Sequence, residues 1–170
     1  MQTYQPEFLT ATILNWQHLL AKDHMKEIIV SSLQWLVANG RCTINAFVIM
    51  PNHIHLIWKI ADGIDRTNVQ GALFSFTGHA FKKELVKKPD LLKEYNVNDA
   101  DRAYQFWERN PLVKECFTEK FFLQKLDYIH HNPCQLKWNL ADLPENYYWS
   151  SASFYELQDN RFPWLTHYRQ

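Results

Sequence analysis

The chain carries no net charge. Across 170 residues, eighteen lysines and arginines balance eighteen aspartates and glutamates. The whole-chain field gives no hint of a polyanionic partner, and any such partner has to be argued from local patches. Paired cysteines are also missing. Cys42, Cys116 and Cys134 are odd in number, widely spaced and form no CxxC, which suits reduced thiols in a cytoplasm. No apolar run approaches the roughly 20 residues of a membrane span. The opening "MQTYQPEFLT" has neither the basic start nor the apolar stretch of a secretory leader. The expectation is a soluble cytoplasmic protein with no membrane partner. Internal repeats, low-complexity tracts and long linkers are absent as well.

What remains is a chain rich in core-forming residues, 46% apolar and 15% aromatic, and of ordinary size for one domain. A single domain over 1–170 is expected, with a core at about 8–135 and an aromatic-rich tail at 136–170. "EFLTATIL" (7–14) is β-branched and reads as a strand. From Asp23, Met25, Ile28, Ile29, Leu33, Leu36 and Val37 recur at helical spacing until Asn39-Gly40. "CTINAFVIM" (42–50) and "HIHLIWKI" (53–60) flank the turn residues Pro51-Asn52 and predict a tight hairpin. A second amphipathic helix is expected over 65–88 and a strand over 103–110. A third helix over 118–131 is cut off at Asn132-Pro133. The order β-α-β-β-α-β is that of the ferredoxin-like split βαβ fold: an α+β arrangement with an antiparallel four-stranded sheet, both helices on one face, and here a further C-terminal helix.

Within the hairpin, "MPNHIHLIW" (50–58) places two imidazoles one residue apart. Side chains alternate along a strand, so His53, His55 and Ile57 share one face, and Ile54, Leu56 and Trp58 share the face toward the helices. The two histidine Cα atoms are then about 7 Å apart, close enough for both rings to reach one metal ion. A pair of tolerated polar residues on a half-exposed strand is the plain alternative, at about even odds for an arbitrary HxH. On either reading the face lies outside the main core, so alanine at both positions is expected to leave the fold nearly intact. Two imidazoles need a third ligand to make a site. The third helix offers Tyr128 and Asn132, four residues apart and so on one face if helical geometry persists. Asn132 could equally cap the helix before Pro133, and Tyr128 could be a core tyrosine.

Taken together, "FVIMPNHIHLIW", "YIHHNP" and "YYWSSA" resemble the single-tyrosine HUH transposases, most closely their REP-associated tyrosine transposase branch, over about residues 8–155. The resemblance implies that His53 and His55 are metal ligands, Asn132 the third ligand and Tyr128 the nucleophile. Many related transposases carry glutamine where this chain has Asn132, and Cys134 replaces a small aliphatic residue. It further implies a single-stranded DNA partner with a hairpin element, a 5′ phosphate retained on the enzyme with a 3′-OH leaving, and a monomer or homodimer.

The chemistry is consistent with simple considerations. A tyrosine with an ordinary pKa of about 10 is a weak nucleophile without help. A hard divalent cation, Mg2+ or Mn2+, would polarise the scissile phosphate. The resulting phosphotyrosine conserves the bond energy for rejoining. Substrate contacts are less sharply indicated. Lys82, Lys83, Lys87, Lys88 and Lys93 outnumber the acids of "GHAFKKELVKKPDLLK" (78–93) and are candidates for phosphate contact, as are Arg102 and Arg109. A solvated helix face accounts for a charge run of this kind about twice as often. Tyr104, Phe106 and Trp107 could stack unpaired bases where they are exposed.

Two other classes compete. A metal-dependent oxygenase with a two-histidine strand motif needs a carboxylate soon after, but Trp58 and Lys59 stand there. A non-catalytic ferredoxin-like nucleic-acid-binding module would use sheet aromatics for bases and would have no use for a metal-ligand face.

Overall fold

A computed structural model describes residues 1–170. Strand β1 (Glu7–Thr12) is followed by α1 (Asp23–Ala38), the hairpin β2 (Cys42–Ile49) and β3 (His53–Ile60), then α2 (Arg66–Leu85), the short α3 (Pro89–Leu92), β4 (Leu112–Glu115), α4 (Glu119–His131) and α5 (Ala152–Leu157). The sheet order is β2-β3-β1-β4, with every neighbouring pair antiparallel. This is the ferredoxin-like split βαβ topology: β3 lies between β1 and β2, and β1 lies between β3 and β4.

Local chemistry accounts for the elements. In α1 the residues at helical spacing, Met25, Ile29, Leu33 and Leu36, are buried, and the helix ends where Gly40 takes a φ of 64°, a left-handed value that costs glycine nothing. Asp65 caps α2 by accepting the Thr67 N–H (2.7 Å), and Thr118 caps α4 by accepting that of Phe121 (3.2 Å).

The sheet is covered on both faces. Arg66, at the start of α2, ion-pairs with Glu7, while the adjacent Phe8 points the other way and meets Tyr128 of α4. Hence α1 and α2, packed on each other, take one face and α4 takes the other. Seven of the eight residues of β3 are buried; Lys59 is the exception. The histidine face is therefore part of the interior, which corrects the expectation of a half-exposed strand outside the core. The cause is α4 itself, whose Phe122, Leu126 and Ile129 are buried beneath it.

The expected strand at 103–110 is irregular. Its backbone follows the end of β1 through isolated contacts, Leu14 N–H to Phe106 C=O and Glu108 N–H to Thr12 C=O, both 2.8 Å, and a regular ladder starts only at Leu112. Phe106 and Trp107 are both buried although consecutive, both packing on Phe81 of α2. Trp107 Nε1 donates to Thr77 Oγ1 of α2 (2.9 Å). Asn110, with a φ of 58°, and Pro111 then re-aim the chain. These buried aromatics are unavailable for stacking bases.

The tail closes the other edge. Ile49 N–H donates to Trp149 C=O (2.9 Å), Ser151 N–H to Phe47 C=O (3.0 Å) and Thr166 N–H to Ile44 C=O (2.9 Å). Tyr147 and Tyr155 donate their hydroxyls to the carbonyls of Ile49 and Asn45. The outer edge of β2 thus spends much of its hydrogen bonding within the chain. Phe162, Trp164 and Leu165 join the same buried cluster as the sheet. No helix is long and apolar enough to cross a membrane.

Candidate active site

Three of the expected site residues meet beneath α4. The ring centroids of His53 and His55 are 4.8 Å apart, and that of Tyr128 lies 5.2 Å from His55. The fourth, Asn132, lies one helical turn beyond Tyr128. Pro133 does not displace it: Asn132 keeps helical geometry (φ −53°, ψ −48°) and ends the helix as its C-cap, so capping and the shared face coexist. Asn132 is 2% exposed whereas Tyr128 is 43% exposed. Asn132 is thus interior, and Tyr128 lies partly at the surface.

Each histidine is held by its Nδ1. Asn52 Oδ1 lies 2.7 Å from His53 Nδ1, and the Asn52 amide nitrogen donates to Trp16 C=O (3.5 Å). With the amide in this orientation its oxygen faces the ring. An amide oxygen only accepts, so His53 carries its proton on Nδ1 and keeps a lone pair on Nε2. Thr10 Oγ1 lies 2.8 Å from His55 Nδ1, and His55 Nε2 is buried without a partner. Burial holds both rings neutral: His53 falls to about 4, with Lys137 adding repulsion, and His55 to about 3, with His53 and Lys125 adding theirs.

Two neutral imidazoles anchored through Nδ1, one with an orphaned inner Nε2, fit the donor set and outer support that a divalent cation needs. No group of three His, Cys, Asp or Glu side chains that could hold a metal converges anywhere in the chain. Beside the two rings stand the Tyr128 phenol, the Asn52 amide and the Thr10 hydroxyl, with the buried Asn132 one helical turn beyond Tyr128.

Sequence reasoning missed several residues. Lys125, three before Tyr128, holds its Nζ 4.8 Å from the centroid of Phe8, 5.3 Å from that of Phe121 and 5.5 Å from that of Tyr128; helical spacing alone could have nominated it. Trp138 lies 5.8 Å from His53 and 5.9 Å from His18, ring to ring, and nothing in the tail signals it. The helix is locked behind the site by His130, whose Nε2 lies 2.8 Å from Ser151 Oγ in the tail.

The proposed DNA contacts sit elsewhere. Lys82 and Lys83 are exposed on α2 and Lys87 just past its end, on the opposite layer from Tyr128. Lys82 stacks on Tyr104 at 5.0 Å, Lys87 pairs with Glu84 (3.6 Å), and Arg109 pairs with Asp99. A groove of about 620 Å³ between α2 and the 101–107 segment is lined by Ser75, His79, Lys82, Arg102, Tyr104 and Gln105 among others.

A split βαβ sheet whose central strand carries a histidine pair faced by a helical tyrosine is thus the class that fold and site define. The chain is similar to the solved structure of a REP-associated tyrosine transposase bound to a REP hairpin, with a TM-score of 0.64 and 18% identity over 89% of this chain and 78% of that one. It is also similar to a Deinococcus radiodurans R1 protein assigned as a transposase, with a TM-score of 0.48 and 16% identity over 75% of this chain and 91% of that one. No family model and no curated protein matches the chain. The fold is that of the REP-associated tyrosine transposase, as the motif resemblance implies.

Proposed function

We propose that this protein is a DNA transposase of the HUH type, a metal-dependent single-stranded DNA endonuclease and strand transferase working through a 5′-phosphotyrosine. The observation that carries the reading is the buried, unpartnered His55 Nε2 within a cluster that ends at the exposed hydroxyl-bearing ring of Tyr128. His53, His55 and Asn132 would hold the cation, Mg2+ or Mn2+. When bound, it polarises the scissile phosphate and offsets charge on its oxygens.

The protein's own groups do the rest. The Tyr128 oxygen attacks phosphorus, the P–O3′ bond breaks, and the phenolic proton leaves with the departing strand as its 3′-OH. The new Tyr–O–P ester keeps the phosphodiester energy, so a second 3′-OH can reverse the step without ATP. Lys125, half-buried beside Tyr128, offers positive charge to the non-bridging oxygens. Asn52 and Thr10 each hold one imidazole at its Nδ1, which leaves Nε2 for the cation. A hairpin with a single-stranded flank is the proposed substrate class; its hairpin part is supported by the similar solved structure, which is bound to a REP hairpin. Its duplex part is suited to the Lys82 and Arg102 groove.

The test is to mix the purified chain with labelled hairpin oligonucleotides carrying single-stranded tails. A Mn2+- or Mg2+-dependent protein–DNA adduct that survives denaturation and disappears with EDTA is expected. Binding without any adduct across tail sequences and metals would instead support a non-catalytic nucleic-acid-binding module.

A further inference from the structure

Trp16 combines two unfavourable features with no return inside the fold. Its φ is 57°, following Asn15 at 54°. Asparagine tolerates the left-handed region, but a bulky aromatic residue there is a true outlier. Its indole is also 64% exposed, and while His18 and Trp138 meet each other, Trp16 stacks on neither. Other exposed aromatics, such as Trp35 and Phe76, sit on regular helices and carry no such strain.

The surrounding contacts fix this conformation firmly. Ile13 N–H donates to Asn52 C=O (2.8 Å) and Leu20 N–H to Pro51 C=O (2.9 Å), so the 13–20 loop clamps the tip of the β2–β3 hairpin. Asn15 N–H donates to Glu108 Oε1 (2.7 Å). The Trp16 carbonyl then accepts from the same Asn52 amide whose oxygen holds His53. The strained residue is two hydrogen bonds from a proposed metal ligand. Backbone strain that the surroundings over-determine beside a reactive site is retained for what it presents, and what this loop presents is an indole.

We infer that Trp16 is a base-stacking platform: it takes an unpaired base of the single-stranded tail, one or two nucleotides from the phosphate at the histidines. This rests on the proposed function and adds the subsite that sets the strand's register. An indole stacks on any base face without needing hydrogen bonds. One cation on the His53 side suits a nucleic acid better than an apolar partner: the Lys137 ammonium lies 6.0 Å from the centroid of Trp138, the ring that packs on His53.

The experiment uses the full chain and a DNA hairpin whose single-stranded tail, about ten nucleotides within the usual site size, carries one abasic nucleotide stepped through every position. The parent should lose roughly 10- to 100-fold in affinity when one particular position is abasic. Trp16→Ala should lose a similar factor on the intact tail and show no further loss at that position, while Trp16→Phe recovers most of the affinity. Thermal unfolding of Trp16→Ala should be no lower than the parent's, which separates a platform from a structural residue. A parent that forms the adduct, with a Trp16→Ala variant of equal affinity on every tail, overturns this inference alone. A parent that neither binds nor reacts with any tail overturns it together with the proposed function.

Discussion

Thr10 Oγ1 and His55 Nδ1, 2.8 Å apart, belong to residues directly opposite each other on β1 and β3. The sheet register itself therefore turns the imidazole. Ligation through Nε2 requires the proton on Nδ1, with Thr10 accepting it. Thr10→Val keeps the shape and removes that acceptor. The Mn2+ concentration giving half-maximal adduct should rise by about 10- to 100-fold. An unchanged concentration would mean that Thr10 does not hold the ring for a metal.

Metal binding should also register as stability. Mn2+ at about one hundred times its Kd adds about 2.7 kcal/mol to a chain that binds it only when folded, so the melting temperature of the parent should rise with added Mn2+ and fall back with EDTA. His53→Ala/His55→Ala should lose the response. Because both rings are buried, each alanine should also lower the metal-free stability by about 1–3 kcal/mol. A double variant that still responds to Mn2+ would place the metal elsewhere.

Lys125 reaches the tyrosine from the same helix. Lys125→Met keeps the aliphatic stem that packs against Phe8 and Phe121 and deletes the charge. Adduct formation should slow by about 10- to 100-fold, the loss typical of one electrostatic donor at a developing charge, while melting changes little. Full activity in Lys125→Met would leave the lysine as a packing residue only.

A charge cluster behind β1, in which Glu7 is buried and its partners Arg66 and Glu115 are about one-third exposed, gives a pH prediction independent of the site. Glu7 is wholly buried, Arg66 ion-pairs with it and with Glu115 (3.0 Å), and burial raises the Glu7 carboxyl above its ordinary 4.5 despite the guanidinium. The folded state then holds its proton to higher pH than the unfolded state does. This group's contribution must therefore fall as pH rises from about 4.5 through the raised folded value. Glu7→Gln should flatten that part of the stability profile. Arg66→Ala, which leaves the carboxylate uncompensated, should cost about 3–5 kcal/mol at neutral pH. Chemical denaturation of both variants between pH 4 and pH 8 reads this directly, and a profile unchanged by Glu7→Gln would contradict it.

The sequence made some of this legible and hid the rest for physical reasons. Two strand-like runs flanking Pro51-Asn52 exposed the β2–β3 hairpin, and the Asn132-Pro133 stop marked the end of α4, so the His53, His55 and Tyr128 grouping could be anticipated. Thr10 could not be, since its role depends on which residue of β3 stands opposite. The last strand was misplaced to 103–110 because Phe106 and Trp107 look like strand residues and are buried for a different reason, packing on Phe81, while the regular β4 begins only at Leu112. The burial of the histidine face was missed because α4 and the tail cover it through contacts far apart in sequence. Trp16 is invisible in the sequence: nothing local announces a left-handed backbone at a tryptophan.

The central claim is that Tyr128 is the nucleophile; the residue is 43% exposed and its hydroxyl makes no hydrogen bond to the protein, which makes the substitution clean. Tyr128→Phe should change stability by no more than about 0.5 kcal/mol and bind the tailed hairpin like the parent. The decisive measurement is mass spectrometry of the protease-digested adduct. The account predicts a 5′-phosphonucleotide on the peptide carrying Tyr128 and no adduct from Tyr128→Phe; the nucleotide on Tyr104, Tyr147 or Tyr148, or an undiminished adduct from Tyr128→Phe, would contradict it.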